Sequence, residues 1–216
     1  AIALMLALSR HIPAANASLR SGKWERSRFL GLEVRGKTLG VIGLGQVGSE
    51  VARRAKGLEM RVIAFDPFVP EERARVLGVD LVSKGQLLKE SDFVTVHTTL
   101  TEGTKSLLGE DELRSMKPTA RIINTARGGI VDEAALEKAL REGWIAGAAL
   151  DVFVKEPVTD HPLFALDGIV VTPHLGASTA EAQERVAVDV AEQVMAVLHG
   201  QPARYAVNAP LIPPET

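Results

Sequence analysis

A glycine-rich turn between a short apolar run and a predicted helix constrains the fold of this chain more than any other feature. Residues 38–42 (TLGVI) are typical of a buried strand, and residues 46–57 are predicted to form a helix. Between and within them, Gly43, Gly45 and Gly48 have the spacing G-x-G-x-x-G. In such a unit the first glycine permits a tight turn, the second lets the backbone approach a pyrophosphate, and the third lets helix and strand pack closely. The sequence therefore predicts a dinucleotide-binding unit.

A second predicted strand supports this interpretation and indicates which dinucleotide is bound. Residues 61–65 (RVIAF) lead to Asp66, eighteen residues after Gly48. A carboxylate near this distance accepts hydrogen bonds from the adenosine ribose hydroxyls. Its charge would repel a 2′-phosphate, so we expect NAD as the cofactor, although Asp66 also fits a simple turn before a proline. Gln46 and Val47 begin the helix, whose N-terminus favours phosphate, and we expect them near the pyrophosphate.

Predicted strands and helices alternate along most of the chain. This alternation predicts an α/β fold of the Rossmann type, a doubly wound parallel sheet with helices on both faces. The predicted strands are 38–42, 61–65, 80–82, 93–97, 121–125, 146–151 and 168–172, and the predicted helices between them are 46–57, 70–77, 84–90, 110–116 and 132–142. Residues 1–20 are predicted as a helix interrupted near Pro13, and residues 178–199 as a long final helix.

Three polar segments each follow one of the later predicted strands. They are residues 124–129 (NTARGG), 151–157 (DVFVKEP) and 173–177 (PHLGA). In an open α/β sheet, ligands bind in the crevice at the carboxyl ends of the strands. We therefore expect Arg127, Glu156 and His174 to meet at one edge of one sheet.

These three residue types suit the oxidation of a hydroxy acid. His174 would be the general acid–base, since a histidine titrates near neutral pH, and Glu156 would orient its ring. Arg127 would bind the substrate carboxylate with its planar guanidinium. Taken singly, each residue also fits a surface position, so the argument depends on their combination. Asp151 ends a predicted strand and either faces the nicotinamide or is an ordinary strand-end residue.

In this order, the glycine loop, N-x-x-R-G-G, D-V-F-x-x-E-P and P-H-L-G-A-S-T resemble the D-2-hydroxyacid dehydrogenases over roughly residues 1–200. Segments 22–26 (GKWER), 123–133 and 146–153 are most similar to the phosphoglycerate-oxidising branch of that family. The resemblance implies NAD-dependent oxidation of a phosphorylated 2-hydroxy acid at the start of serine biosynthesis. Two alternatives stay open: a dehydrogenase or reductase for another small acid, such as glyoxylate or hydroxypyruvate, or an NAD-responsive binding protein like the related corepressors.

The resemblance also implies cofactor contacts that the residues alone do not indicate. These are Thr98, Thr125, Ala126, Leu175, Gly176 and Ala177, in addition to Asp151, Arg127 and His174. The family usually has proline where this chain has Thr99, so the backbone beside Thr98 is less restricted here. His97, like His11, His161 and His199, is predicted to be structural.

The family resemblance implies a division of the chain into four parts. Residues 1–36 would be a connecting helix and dimer arm, 37–176 the NAD-binding Rossmann domain, 177–200 a second connecting helix and 201–216 a linker. The connecting helices would normally pack on a substrate domain, whose N-terminal segment is missing here. Because the chain begins without methionine, we expect an excised fragment that binds NAD but turns over poorly. The full-length protein would be a homodimer or homotetramer.

Composition limits the classes of partner. The sequence has 216 residues, 46% hydrophobic and 24% charged, with a net charge of −2, so we expect no nucleic acid and no membrane as partner. It contains no cysteine, which excludes disulfides and thiolate metal sites and fits the cytoplasm, and we expect no metal. The apolar residues 1–8 lack a basic leader and predict a buried helix rather than a signal peptide.

Overall fold

The computed structural model describes residues 1–203 and 206, so most of the predicted linker at 201–216 lies outside the described residues. The chain divides into two compact units. The first is Ala1–His174, and the second begins at Leu175. The first unit contains the glycine loop and the three residues predicted to be catalytic.

Seven strands in the described part of the chain form one sheet, in which every neighbouring pair is parallel. The spatial order is β3-β2-β1-β4-β5-β6-β7. The strands are β1 (Thr38–Ile42), β2 (Arg61–Phe65), β3 (Asp80–Leu81), β4 (Phe93–Val96), β5 (Arg121–Asn124), β6 (Gly147–Leu150) and β7 (Ile169–Val171). The predicted doubly wound parallel sheet is confirmed.

The helices of the described chain follow the predicted pattern. They are α1 (Ile2–Ser9), α2 (Ile12–Arg20), α3 (Gln46–Gly57), α4 (Glu71–Leu77), α5 (Lys84–Glu90), α6 (Glu110–Ser115), α7 (Glu133–Arg141) and, in the second unit, α8 (Ala180–Leu198). The first predicted helix is indeed interrupted, at Arg10 and His11, and Pro13 lies in the first turn of α2, where a missing amide hydrogen costs nothing. Two 3₁₀ turns, Arg26–Phe29 and Pro162–Ala165, were not predicted.

The sheet separates two apolar clusters, which explains why the central strands are continuous apolar runs. Every residue of β1, β4 and β6 is buried. Along β1, Leu39 and Val41 belong to one cluster and Ile42 to the other, as the alternation of side chains across a strand requires. Helix α1 closes the first cluster by placing Met5 and Leu8 against the sheet. Both faces are therefore covered, as a parallel sheet demands.

Five of the predicted strands end one residue earlier than expected, always at the carboxyl edge. The residues concerned are Val82, His97, Thr125, Asp151 and Thr172. Four of them still donate their amide to the neighbouring strand: Val82 to Ala64 O at 2.9 Å, His97 to Ile42 O at 2.8 Å, Asp151 to Asn124 O at 2.9 Å and Thr172 to Leu150 O at 3.0 Å. Beyond these residues the chain leaves the sheet and forms the loops that carry the candidate site residues.

The glycine loop lies where the strand order reverses, between β1 and its neighbours β2 and β4. Gly43 has a φ of +91°, and a Cβ there would lie 2.7 Å from the carbonyl oxygen of His97. A Cβ at Gly48 would overlap the carbonyl oxygen of Gly43, whereas one at Gly45 would meet nothing within 4 Å. Gly43 and Gly48 are thus required by the fold, and Gly45 borders open space.

We expect Gly48→Ala to lower the free energy of unfolding by about 2–3 kcal/mol, because the added methyl group meets backbone that cannot move aside. Gly45→Ala is the matched control. Its φ of −68° suits any residue, so the change should stay within about 0.5 kcal/mol. Urea unfolding of both variants checks this difference. Equal losses at the two positions would show that helix and strand do not approach as closely as described.

Candidate active site

His174, which follows β7, and Glu156, which follows β6, form a hydrogen-bonded pair. The His174 Nδ1 and Glu156 Oε2 atoms lie 2.7 Å apart. The other carboxylate oxygen accepts the Phe153 amide at 2.9 Å. These hydrogen bonds, the one from His174 first, hold the pKa of the Glu156 carboxyl below its usual value. Because Nδ1 is engaged by the carboxylate, proton exchange with a ligand would take place at Nε2.

The backbone of His174 is fixed as well as its ring. Its φ of +55° is unusual for a residue with a side chain. The conformation is held by its amide, which donates to Asp151 O at 2.9 Å and Thr172 O at 3.1 Å. The buried Asp151 carboxylate in turn accepts the Thr172 hydroxyl at 2.5 Å. Asp151 thus ties the end of β6 to the segment that carries His174, while its predicted contact with nicotinamide stays a prediction.

The Arg127 loop packs directly on the loop that carries Glu156. A Cβ at Gly128 would overlap the carbonyl group of Phe153 and crowd the amide of Val154. Only glycine permits this approach, so the loops after β5 and β6 lie in backbone contact. This contact places Arg127 and Glu156 on adjoining loops at the same sheet edge, and the charge of Arg127 contributes to the lowered pKa of Glu156.

Asn124 shapes the Arg127 loop and was not predicted from the sequence. It is 2% exposed at the end of β5. Its amide donates to Arg127 O at 2.9 Å, and its side-chain oxygen accepts the Ala126 amide at 3.0 Å. An asparagine at a strand end before two glycines was the available signal, since asparagine side chains commonly close turns on their own backbone.

Asp66 is oriented by the glycine loop. Its Oδ2 accepts the Leu44 amide at 2.8 Å, and its Oδ1 accepts the Phe68 amide at 2.9 Å. Each carboxylate oxygen has two acceptor sites, so both retain capacity for a further donor. The carboxylate is therefore held beside the loop in a form that suits ribose hydroxyls.

A cleft of about 460 Å³ extends from the start of α3 to the Arg127 loop. It is lined by Val47, His97, Thr98, Thr99, Leu100, Thr125, Ala126 and Arg127. The Thr98 hydroxyl is buried and has no hydrogen-bond partner within residues 1–203 and 206. Burying such a hydroxyl costs free energy unless a bound ligand supplies its hydrogen-bond partner. The unsatisfied hydroxyl and the open space at Gly45 together fit a bound dinucleotide.

Thr99, where the family resemblance predicts a proline, lies in a loop that side chains hold. Thr104 donates its hydroxyl to Thr99 O at 2.6 Å and accepts the Thr101 amide at 2.8 Å. These bonds take over part of the restriction that a proline ring would impose.

The remaining predicted cofactor residues occupy different places. Gln46 is the first residue of α3 and lines a neighbouring pocket with Val47. Leu175, Gly176 and Ala177 belong to the second unit, so their cofactor contacts stay predictions.

No three His, Asp or Glu residues of the described chain lie close enough to hold a metal ion. None of the helices described is long and apolar enough to cross a membrane.

His97 lines the cleft, and its ring is only partly exposed. Its Nε2 is 2.9 Å from the Thr95 hydroxyl. Burial lowers the pKa of the His97 imidazole from 6.5 to about 4, so the ring is neutral at physiological pH. It is unsuited to carry a proton in a reaction near neutral pH.

Comparisons with known proteins agree with this geometry. A family model described as "D-isomer specific 2-hydroxyacid dehydrogenase, NAD binding domain" matches residues 2–176. D-3-phosphoglycerate dehydrogenase of Synechocystis sp. is 53% identical over 215 residues, covering 100% of this chain and 39% of that protein. The enzyme of that name from Archaeoglobus fulgidus is 54% identical, covering 99% and 41%. The chain thus spans about two fifths of the length of these relatives.

A solved structure has the same fold. D-lactate dehydrogenase with NAD⁺ from Lactobacillus jensenii is similar with a TM-score of 0.85 and 28% identity. The match covers 97% of this chain and 67% of that one.

We expect acid to destabilise the fold through His97. As pH falls through about 6.5, unfolded chains protonate this residue, but the folded state resists until about pH 4. Stability should therefore fall across that window, by roughly 2–3 kcal/mol from this group. Urea unfolding between pH 7.5 and 4 should show that His97→Gln loses less free energy of unfolding than the parent. The control His199→Gln should lose as much as the parent. Parallel curves for the parent and His97→Gln would contradict the burial argument.

Proposed function

The chain belongs to the D-isomer specific 2-hydroxyacid dehydrogenase family, and we propose that the protein oxidises D-3-phosphoglycerate to 3-phosphohydroxypyruvate with NAD, the step that begins serine biosynthesis. The observation that carries this proposal is the 2.7 Å contact between His174 and Glu156. The loop that carries Glu156 packs against the loop that carries Arg127. The names of two relatives more than 50% identical support the choice of substrate.

The cofactor of this domain is NAD. When bound, NAD supplies the acceptor for the hydride that leaves C2 of the substrate. The pyrophosphate would lie on the loop of Gly43, Gly45 and Gly48, beside Gln46 and Val47 at the N-terminus of α3. Asp66 would accept the ribose hydroxyls, and Thr98, Thr125 and Ala126 would border the nicotinamide end of the cleft.

The proton and the charges of the substrate would be handled by side chains. His174 Nε2 takes the proton of the 2-hydroxyl as the alcohol becomes a carbonyl, and the resulting imidazolium is stabilised by the Glu156 carboxylate. Arg127 pairs with the substrate carboxylate and draws electron density from the reacting centre. Exclusion of water and alignment of these groups would need a domain that closes over the cleft, which is why this chain alone should turn over poorly.

Assembly of the whole protein is a further part of the proposal. The segment after α2 carries Trp24, 82% exposed, and Leu30, 87% exposed. Large apolar side chains this exposed are typical of interaction surfaces. We propose that this arm joins subunits in a homodimer or homotetramer. We also propose that the protein works in the cytoplasm, which the absence of cysteine from these 216 residues fits.

The complete gene product should turn over D-3-phosphoglycerate with a higher kcat/KM than D-glycerate, glycolate or D-lactate. It should also prefer NAD to NADP. Steady-state absorbance at the NADH band measures both preferences. A higher value for an unphosphorylated acid would replace the proposed substrate, and binding of NAD without turnover of any acid would favour a sensor.

The acid–base pair is tested by His174→Ala and Glu156→Gln in the complete protein. His174→Ala should lower kcat about 10²- to 10⁴-fold with little change in NADH affinity. Glu156→Gln should move the acid limb of the pH–rate profile to lower pH, because the imidazolium loses a stabilising charge. The double variant should be less impaired than the product of the single defects, since both residues act in one step. Multiplicative losses would mean that the two side chains act independently.

A further inference from the structure

A second glutamate–histidine pair contacts the same loop as the first. Glu133, the first residue of α7, is close to His161, whose Nε2 lies 3.1 Å from Glu133 Oε2. The two side chains are 17% and 19% exposed, against 34% and 48% for Glu156 and His174. The second pair is therefore the more enclosed of the two, and the proposed mechanism does not use it.

Both glutamates hold the same stretch of backbone. Glu156 accepts the amide of Phe153 at 2.9 Å, and Glu133 accepts the next amide, that of Val154, at 2.7 Å. Each carboxylate then uses its other oxygen for a histidine. Two consecutive amides are thus anchored by two carboxylates, although the Val154 side chain is 67% exposed.

The contacts of His161 show that it anchors rather than exchanges protons. The Leu163 amide donates to His161 Nδ1 at 3.2 Å, so that nitrogen carries no hydrogen. The hydrogen is then on Nε2 and is donated to Glu133. The ring also lies against Phe153 and Phe164, with centroid separations of 5.8 and 5.6 Å. Both nitrogens and the ring are engaged within the protein.

We propose that Glu133 and His161 are positioning residues, which hold the Phe153–Val154 peptide so that Glu156 and Arg127 meet in a productive geometry. This inference rests on the proposed function. The same peptide lies against Gly128, the residue after Arg127, where a Cβ would overlap it. A shift of the peptide would move Glu156 away from His174 and displace the Arg127 loop at the same time. Misplacements near 1 Å can cost about 10²-fold in rate.

Two variants of the complete protein separate positioning from local structure. In Glu133→Gln, the side-chain oxygen can still accept the Val154 amide, but its NH₂ then faces the Nε2 hydrogen of His161. In His161→Asn, the shorter side chain can still accept the Leu163 amide but cannot reach Glu133. The matched control is Glu137→Gln, on the same helix, which breaks only an ion pair with Arg141.

We expect kcat to fall about 10- to 100-fold in Glu133→Gln and His161→Asn, with the KM for NAD within about twofold of the parent. Glu137→Gln should match the parent. In a His174→Ala background, Glu133→Gln should lower kcat by a smaller factor than in the parent, because Glu156 then has no histidine to orient and only the placement of Arg127 can still be lost. Circular dichroism at the assay temperature verifies that each variant is folded.

The outcomes distinguish this inference from the function on which it rests. If His174→Ala loses turnover while Glu133→Gln keeps the parental kcat, the pair is structural and the positioning role is wrong. The positioning role is also wrong if Glu133→Gln lowers kcat by the same factor in the parent and in the His174→Ala background. If His174→Ala itself keeps full turnover, the proposed acid–base role is wrong, and the positioning role falls with it.

Discussion

The loops at the carboxyl edge of this sheet depend on close approach of backbone to backbone. Gly48 lies against the carbonyl of Gly43, Gly43 against that of His97, and Gly128 against that of Phe153. At each place a Cβ atom would separate two segments that must touch. The first two contacts join the turn after β1 to helix α3 and to the end of β4, and the third joins the loops after β5 and β6. The cleft and the pair of His174 and Glu156 have their observed geometry because these positions lack side chains.

Carboxylates perform the complementary task of holding loop amides. Asp66 binds two amides around the glycine loop, Glu156 binds that of Phe153 and Glu133 binds that of Val154. Hydrogen bonds to a charged acceptor are stronger than those between neutral groups, so the loops are held without regular secondary structure. The carboxylates of Asp66 and Glu156 also retain acceptor capacity beyond their backbone partners. In the proposed function, the same side chains would therefore both hold the loops and serve the site.

Much of the fold and the candidate site was accessible from the sequence, and the misses have a common cause. The strands were recognisable because burial on both faces leaves nearly continuous apolar runs such as residues 38–42. Asn124 was overlooked because its role depends on the turn that it closes. His161 was predicted to be structural, but its partner Glu133 lies 28 residues away in sequence, and spacing along the chain contains no signal for such a contact.

The sequence by itself determined the parallel α/β sheet, the dinucleotide loop and the family, because each depends on local patterns: apolar period, glycine spacing and short motifs in order. Only the tertiary structure decided which side chains meet. It placed Glu156 within 2.7 Å of His174, bound Asp66 to the amide of Leu44 and left the Thr98 hydroxyl buried without a partner in the described chain. The physical reason is that parallel strands bring distant segments to one edge, where distances of a few ångströms are set by packing rather than by separation in sequence.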